Sequence, residues 1–149
     1  MSESKVIFKS NVILTLYDRV RMIRNTTKIH NLVTDIGLDS IMEQLLNAPT
    51  IEVPTHMELG TGTPTATKLG AYIPDSRTAL TSKIRSGAVL TMRCTFAPGV
   101  GTGNITEAGV FNIATQNTGD MYVSASFDTI TKGATDSLEV AWTMTASSV

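Results

Sequence analysis

The sequence predicts a mainly β protein: an antiparallel β-sandwich or barrel-like domain with one amphipathic helix at about residues 35–47. Three observations carry that expectation. Apolar and polar residues alternate in several short stretches, turn-forming runs separate these stretches at near-regular spacing, and one segment repeats its apolar residues at helical intervals instead. Residues 11–149 are expected to form a single domain, with 1–10 a polar N-terminal arm.

The first alternating stretch is "NVILTLYDRV", with Val12, Leu14 and Leu16 on one face and Ile13, Thr15 and Tyr17 on the other. The helical segment follows in "TDIGLDSIMEQLLN". There Leu38, Ile41, Met42, Leu45 and Leu46 fall at i, i+3, i+4, i+7 and i+8, the stripe of a helix with one buried face. Thr34 or Asp35 can cap its start, and Pro49 stops it. Asp35, Asp39 and Glu43 lie on its outer face, read as solvated, where the helix dipole favours negative charge.

Three further strands show the same alternation. In "VLTMRCTF", Leu90, Met92, Cys94 and Phe96 face inward; in "MYVSASFDTIT", Met121, Val123, Ala125 and Phe127 share a face. "DSLEVAWTMTA" is the cleanest, with Leu138, Val140, Trp142 and Met144 inward. Strands buried on one face belong to antiparallel sheets. The abundant threonine fits, because its branched carbon packs while its hydroxyl faces water. The runs "NAPTIEVPT", "GTGTPTATKLGAYIPDS", "APGVGTGN", "TQNTGD" and "TKGATD" supply the turns.

Composition narrows the function. A chain of 149 residues fits one domain that buries roughly 70% of its unfolded surface, so neither disulfides nor metal are needed for folding. A net charge of −1 gives no global field for nucleic acid or anionic lipid. The single cysteine, Cys94, fits a reducing compartment and is expected to be free. No apolar run approaches a membrane span, and "MSESKVIFKS" lacks the apolar centre of a secretory signal, so synthesis in a cytoplasm is expected.

The glycine-rich stretch "HMELGTGTPTATKLG" (His56–Gly70) invites comparison with phosphate-binding loops. A Walker loop needs four residues between its first Gly and a Gly-Lys pair. From Gly60 that spacing reaches Thr65, from Gly62 it reaches Thr67, and Lys68 is followed by Leu69. The dinucleotide pattern fails at Thr65, and in the second glycine run, Gly99, Gly101 and Gly103, it fails at Asn104. Both read as turns, with Gly60 and Gly62 supplying backbone freedom. His30, His56 and Cys94 have no zinc spacing, and the serines lack a nucleophile elbow. No enzyme, cofactor or metal is expected. In "YDRVRMIRNTTK" the cations Arg19, Arg21, Arg24 and Lys28 gather, with Arg19 and Arg21 read as sharing a strand face. A solvated face or a salt-bridged protein contact is the expected use, since no nucleic-acid motif accompanies them.

Four segments in order, "IHNLVTDIGLDSIMEQLL", "MELGTGTPTAT", "ITEAGVFN" and "LEVAWTMTA", resemble a family of small bacteriophage virion structural proteins, tail-, fibre- or head-associated, over residues 12–146. Val110 stands where that pattern often has Leu. The resemblance implies a non-enzymatic particle component, made in the bacterial cytoplasm and located in the virion. Its partners would be further copies of itself and other virion proteins, with no nucleic acid and no membrane. Met1–Ser10 and the loop Thr61–Asp75 are the expected contact segments. The candidate contact residues are Lys5, Phe8, Arg19, Arg21, Thr63, Thr65 and Tyr72. The alternative expectation is a host-surface module of a tail fibre or baseplate, binding glycan or protein, with Tyr72 its best candidate for an exposed ring.

Overall fold

The computed structural model describes residues 5–148. The strands are β1 (Val6–Tyr17), β2 (Ile23–His30), β3 (Leu32–Val33), β4 (His56–Gly60), β5 (Thr78–Ala79), β6 (Ser82–Ser86), β7 (Val89–Phe96), β8 (Gly103–Phe111), β9 (Met121–Lys132) and β10 (Ser137–Ser148). One helix, α1 (Asp35–Glu43), follows β3. Sheet A has the order β2-β1-β10-β7-β6 and sheet B the order β3-β9-β8-β4-β5, with antiparallel pairing throughout. The sheets stay open, so the fold is a sandwich rather than a barrel.

The alternating residues make the core between the sheets. Sheet A contributes Val12, Leu14, Leu16, Met92, Cys94, Phe96, Leu138, Val140 and Trp142; sheet B answers with Met57, Leu59, Ile105, Ala108, Val110, Val123 and Ala125. The one polar atom of Trp142 is provided for, because Nε1 donates to Ser10 Oγ at 3.0 Å inside the core. Burial pushes the Cys94 thiol up to about 12, and the thiol is free.

Three expectations need correction. Residues 6–10 are strand rather than arm: Val6–Ser10 belong to β1 and pair with Ser148–Met144 of β10, while residues 1–4 of the expected arm lie outside the described residues. "VIFKS" continues the β1 alternation, with Phe8 and Ser10 on the same face as Val12. In β9, Met121 leaves the face of Val123 and Ala125. The ladder with β8 shifts register between Val110 and Phe111, Tyr122 is the extra residue, and Met121 packs with Phe111 and Leu69 in a second apolar cluster.

The third correction concerns α1. Thr34 caps it, accepting from Gly37 N at 3.1 Å, but the helix stops at Glu43 instead of about residue 47. The Glu43 carboxylate turns the chain back by accepting from Thr50 Oγ1 at 2.5 Å and Ile51 N at 2.7 Å. That Thr50 bond, with help from Ile51, holds the Glu43 carboxyl below its ordinary pKa. The residues α1 buries are Gly37 and Ser40 rather than the leucine stripe. Gly37 lies against the Tyr122 backbone, and Ser40 Oγ donates to the Tyr122 hydroxyl at 2.9 Å. Met42, Leu45 and Leu46 remain 61, 79 and 62% exposed.

Two substitutions separate core from exposed stripe. Phe96→Ala should lower unfolding free energy by about 3–5 kcal/mol, as large-to-small changes in closed cores do. Leu45→Ser should change it by less than about 0.5 kcal/mol, the ordinary range for surface positions. Urea denaturation followed by Trp142 fluorescence reads both, and a multi-kcal loss for Leu45→Ser would show that the stripe is core after all.

Candidate functional site

The most organised polar region lies on the outer face of sheet B, where "MELGTGTPTAT" meets "ITEAGVFN". Glu58 on β4 and Glu107 on β8 stand in strands whose neighbouring residues, Met57, Leu59 and Ala108, face the core. Alternation therefore turns both carboxylates outward, yet both are buried, because two loops fold over them.

Glu107 is 0% exposed. Its Oε1 accepts from Gly62 N at 3.0 Å and Ala71 N at 2.8 Å, and Oε2 accepts from Gly70 N at 2.9 Å. Among the described residues no cation forms an ion pair with it. Thr106 Oγ1 adds a bond to Gly62 O at 2.8 Å. The long loop is thus pinned at both ends, and Leu69 is buried against Phe111 and Met121. The glycines serve close approach rather than turning freedom. A side chain at Gly60 would overlap Glu107 Oε1, and one at Gly62 would come 2.9 Å from Ala71 N.

Glu58 is neutralised differently. Arg77 grips it with two nitrogens, Nε at 3.0 Å and Nη2 at 3.3 Å, and their side chains are 1 and 2% exposed. The Arg77 guanidinium also lies 3.7 Å above the Phe111 ring centre and donates from Nη1 to Ile113 O at 2.8 Å. Gln116 joins the loops, donating to Glu58 Oε2 and Ile73 O, both at 2.9 Å, while its own oxygen accepts from Asp75 N. Breaking one partner of a buried pair costs about 3–5 kcal/mol, whereas the intact pair mainly selects one geometry. His56 on the same strand has its pKa lowered, by burial first and by the Arg77 charge second.

The predicted contact residues fall in three places. Thr63 and Thr65 are exposed on the pinned loop, where Thr65 Oγ1 closes the tip by bonding Lys68 O at 3.0 Å. Tyr72 bridges to Gly60 and is 40% exposed. Arg19 and Arg21 do not share a strand face, since both sit in the β1–β2 turn. Asp18 Oδ1 accepts from Val20 N and Met22 N there, and Arg21 takes φ 66° with its guanidinium 4.7 Å from the Tyr17 ring centre. Arg24 beyond the turn pairs with Asp136 at 3.5 Å. Lys5 and Phe8 lie at the far end of β1, roughly 35 Å away at 3.3 Å per residue; Lys5 is exposed and Phe8 half-buried.

The loop and β9 border a shallow depression of about 430 Å³, lined by Asn31, Leu32, Thr63, Pro64 and Ser124–Ser126, with no aromatic ring. Among the described residues no three His, Cys, Asp or Glu side chains are gathered to hold a metal ion. The His30 side chain lies outside the described residues. Among the described residues no helix is long and apolar enough to cross a membrane. Searches against protein-family models, curated proteins and solved structures found no match to this chain.

Glu58, Glu107, Arg77 and Gln116 were missed by sequence reasoning. The available signal was a glutamate inside each of two apolar strands, a residue type depleted from strands. The organised polar groups act on the chain itself: they fasten loops.

Two measurements check this reading. Glu107→Gln replaces one acceptor with an NH2 that faces backbone donors, leaving at least one N–H without a partner. The loss should be about 1–3 kcal/mol, with amide hydrogen exchange accelerated selectively at Gly62, Gly70 and Ala71; unchanged exchange there would sink the pinning role. Cys94, with its pKa at about 12, should be only about one part in ten thousand thiolate at pH 8. It should therefore resist a thiol reagent until the chain is unfolded; prompt labelling of the native protein would contradict the closed core.

Proposed function

We propose that this chain is a non-enzymatic structural component of a bacteriophage particle, repeated within it and joined to its own copies and to other particle proteins. The observation that supports this reading best is the role of the segments that carry the resemblance. "LGTGT" and "ITEAG" meet as loop and clamp, so in this chain they act as scaffold. Exposed large apolar side chains, Val20, Met22 and Ile23 on the hairpin and Met42, Leu45 and Leu46 at the helix end, add surface of the kind protein contacts cover.

The host-surface alternative has less support. Sugar-binding sites set aromatic rings beside polar groups, and the depression next to the pinned loop has no ring, although Tyr72 is exposed nearby.

Purified particles labelled with an antibody to this chain should show label at one repeated location by electron microscopy. The isolated protein should be oligomeric by light scattering at micromolar concentration. Particles free of the chain would defeat the proposal, and a monomer that binds bacterial cells would favour the alternative.

A further inference from the structure

The inter-sheet core opens at one end. In β1 and β10 the pairing Phe8↔Ala146 lies two residues past Ser10↔Met144, which itself lies two past the core pair Val12↔Trp142. Leu90 on β7 pairs with Met144, Arg85 on β6 pairs with Leu90, and Lys83 pairs with Met92. Phe8, Ala146, Met144, Leu90, Arg85 and Lys83 therefore share the inner face of sheet A, where sheet B no longer covers it. Ile41 of α1 and the segment Val53–Pro54 form the opposite wall. The resulting groove has a volume of about 440 Å³. It crosses four strands, a length of about 14 Å at 4.8 Å per strand.

The groove is apolar along its length and cationic at one end. Lys83 and Arg85 are the charged side chains that line it. Both are fixed by carbonyls, Lys83 Nζ on Pro54 O at 2.8 Å and Arg85 Nη1 on Gly87 O at 2.8 Å. A lysine has three donors and an arginine five, so each keeps donors free for an anion. Inward-pointing cations on an edge strand also discourage unwanted pairing. That role alone does not account for an apolar channel leading to them.

We propose that this groove is the docking site for an apolar segment of a partner protein that carries an acidic residue, its carboxylate on Lys83 and Arg85 and its apolar side chains over Leu90, Met144 and Phe8. Charge complementarity sets the acidic requirement. Two observations select a protein segment over a small anion. β6 is an edge strand whose outer backbone groups can pair with an added strand. Met42, Leu45 and Leu46, next in sequence to the groove residues Ile41 and Gln44, add exposed apolar surface that a small ligand in the groove leaves uncovered. The chain's own exposed apolar side chains Val20, Met22 and Ile23 alternate with or adjoin Arg19, Arg21 and Arg24 and would meet like charge here. The proposal rests on the structural reading only in taking protein contacts as the chain's work.

The test uses the full chain, immobilised, and a displayed library of random twelve-residue peptides, with selected peptides synthesised and titrated by fluorescence anisotropy. Selected sequences should combine Asp or Glu with large apolar residues. Lys83→Glu with Arg85→Glu should weaken them by about tenfold or more, and Ala88→Trp, which fills the groove from an exposed position, should abolish binding. All three sites are solvent-exposed, and an unchanged thermal melt verifies the fold of each variant. Failure to select any peptide, selection of peptides without acids, or equal binding by both variants would overturn the proposal. So would displacement of the peptides by dodecanoate at comparable affinity, which would assign the groove to small acyl anions. Self-association lost in Ala88→Trp would assign it to a second copy. These readouts use the isolated chain, so they stand or fall separately from its location on a particle.

Discussion

A single buried carboxylate organises one whole face of this protein. Glu107 meets three backbone N–H groups and no cation among the described residues. An ionised group so placed requires donors, and backbone amides supply them only if the loop comes within hydrogen-bond distance. The loop can come that close only without side chains at Gly60 and Gly62. Once it is down, Leu69 is carried onto Phe111 and Met121, so a polar constraint creates the second apolar cluster. Glu58 and Arg77 repeat the logic next door with a true ion pair, and Gln116 ties the two loops together. The outer face of sheet B, which antiparallel patterning would leave to water, becomes an interior.

Sheet A is treated differently. Its long strands β1 and β10 run past sheet B, and α1, the chain after it and Tyr122 of β9 approach the overhang. The helix docks through Gly37, Ser40 and the Thr34 hydroxyl rather than through leucines. The Tyr122 hydroxyl accepts from Ser40 and donates to the carbonyl of Glu52, and burial raises its pKa. Ile41 still packs against the core, while Met42 and, just past the helix, Leu45 and Leu46 stay exposed. The outer face of sheet B is therefore covered by clamped loops, while one end of the sandwich is left apolar and open.

The sandwich was legible because it rests on period-two alternation, which Val12–Leu16, Leu90–Phe96 and Leu138–Met144 display without interruption. The inward places of Trp142 and Cys94 followed from the same pattern. Where one residue shifts the register, the pattern misleads: the bulge at Tyr122 sends Met121 to the opposite face. The helix stripe was visible, yet periodicity reports a face without saying what covers it. The clamps were least legible. Glu107 and the amides it binds are 36 to 45 residues apart, and no local rule connects a strand glutamate to a loop glycine. The spacing argument against a phosphate loop holds beside a physical one, because the amides of Gly62, Gly70 and Ala71 already serve an anion, the protein's own carboxylate.

Edge chemistry constrains how copies of this chain can meet. The outer strands of sheet A carry cations, Arg24 and Lys28 on β2 and Lys83 and Arg85 on β6, while sheet B ends in the two-residue strands β3 and β5. Short edges and edge cations are two ways of preventing sheets from joining side by side. Pairing β6 of one copy with β2 or β6 of another would oppose like charges at close range, where they repel most. Edge-to-edge pairing between identical copies is therefore disfavoured along sheet A. A partner strand bearing carboxylates meets no such barrier at β6. The same two cations thus exclude one class of neighbour and admit another.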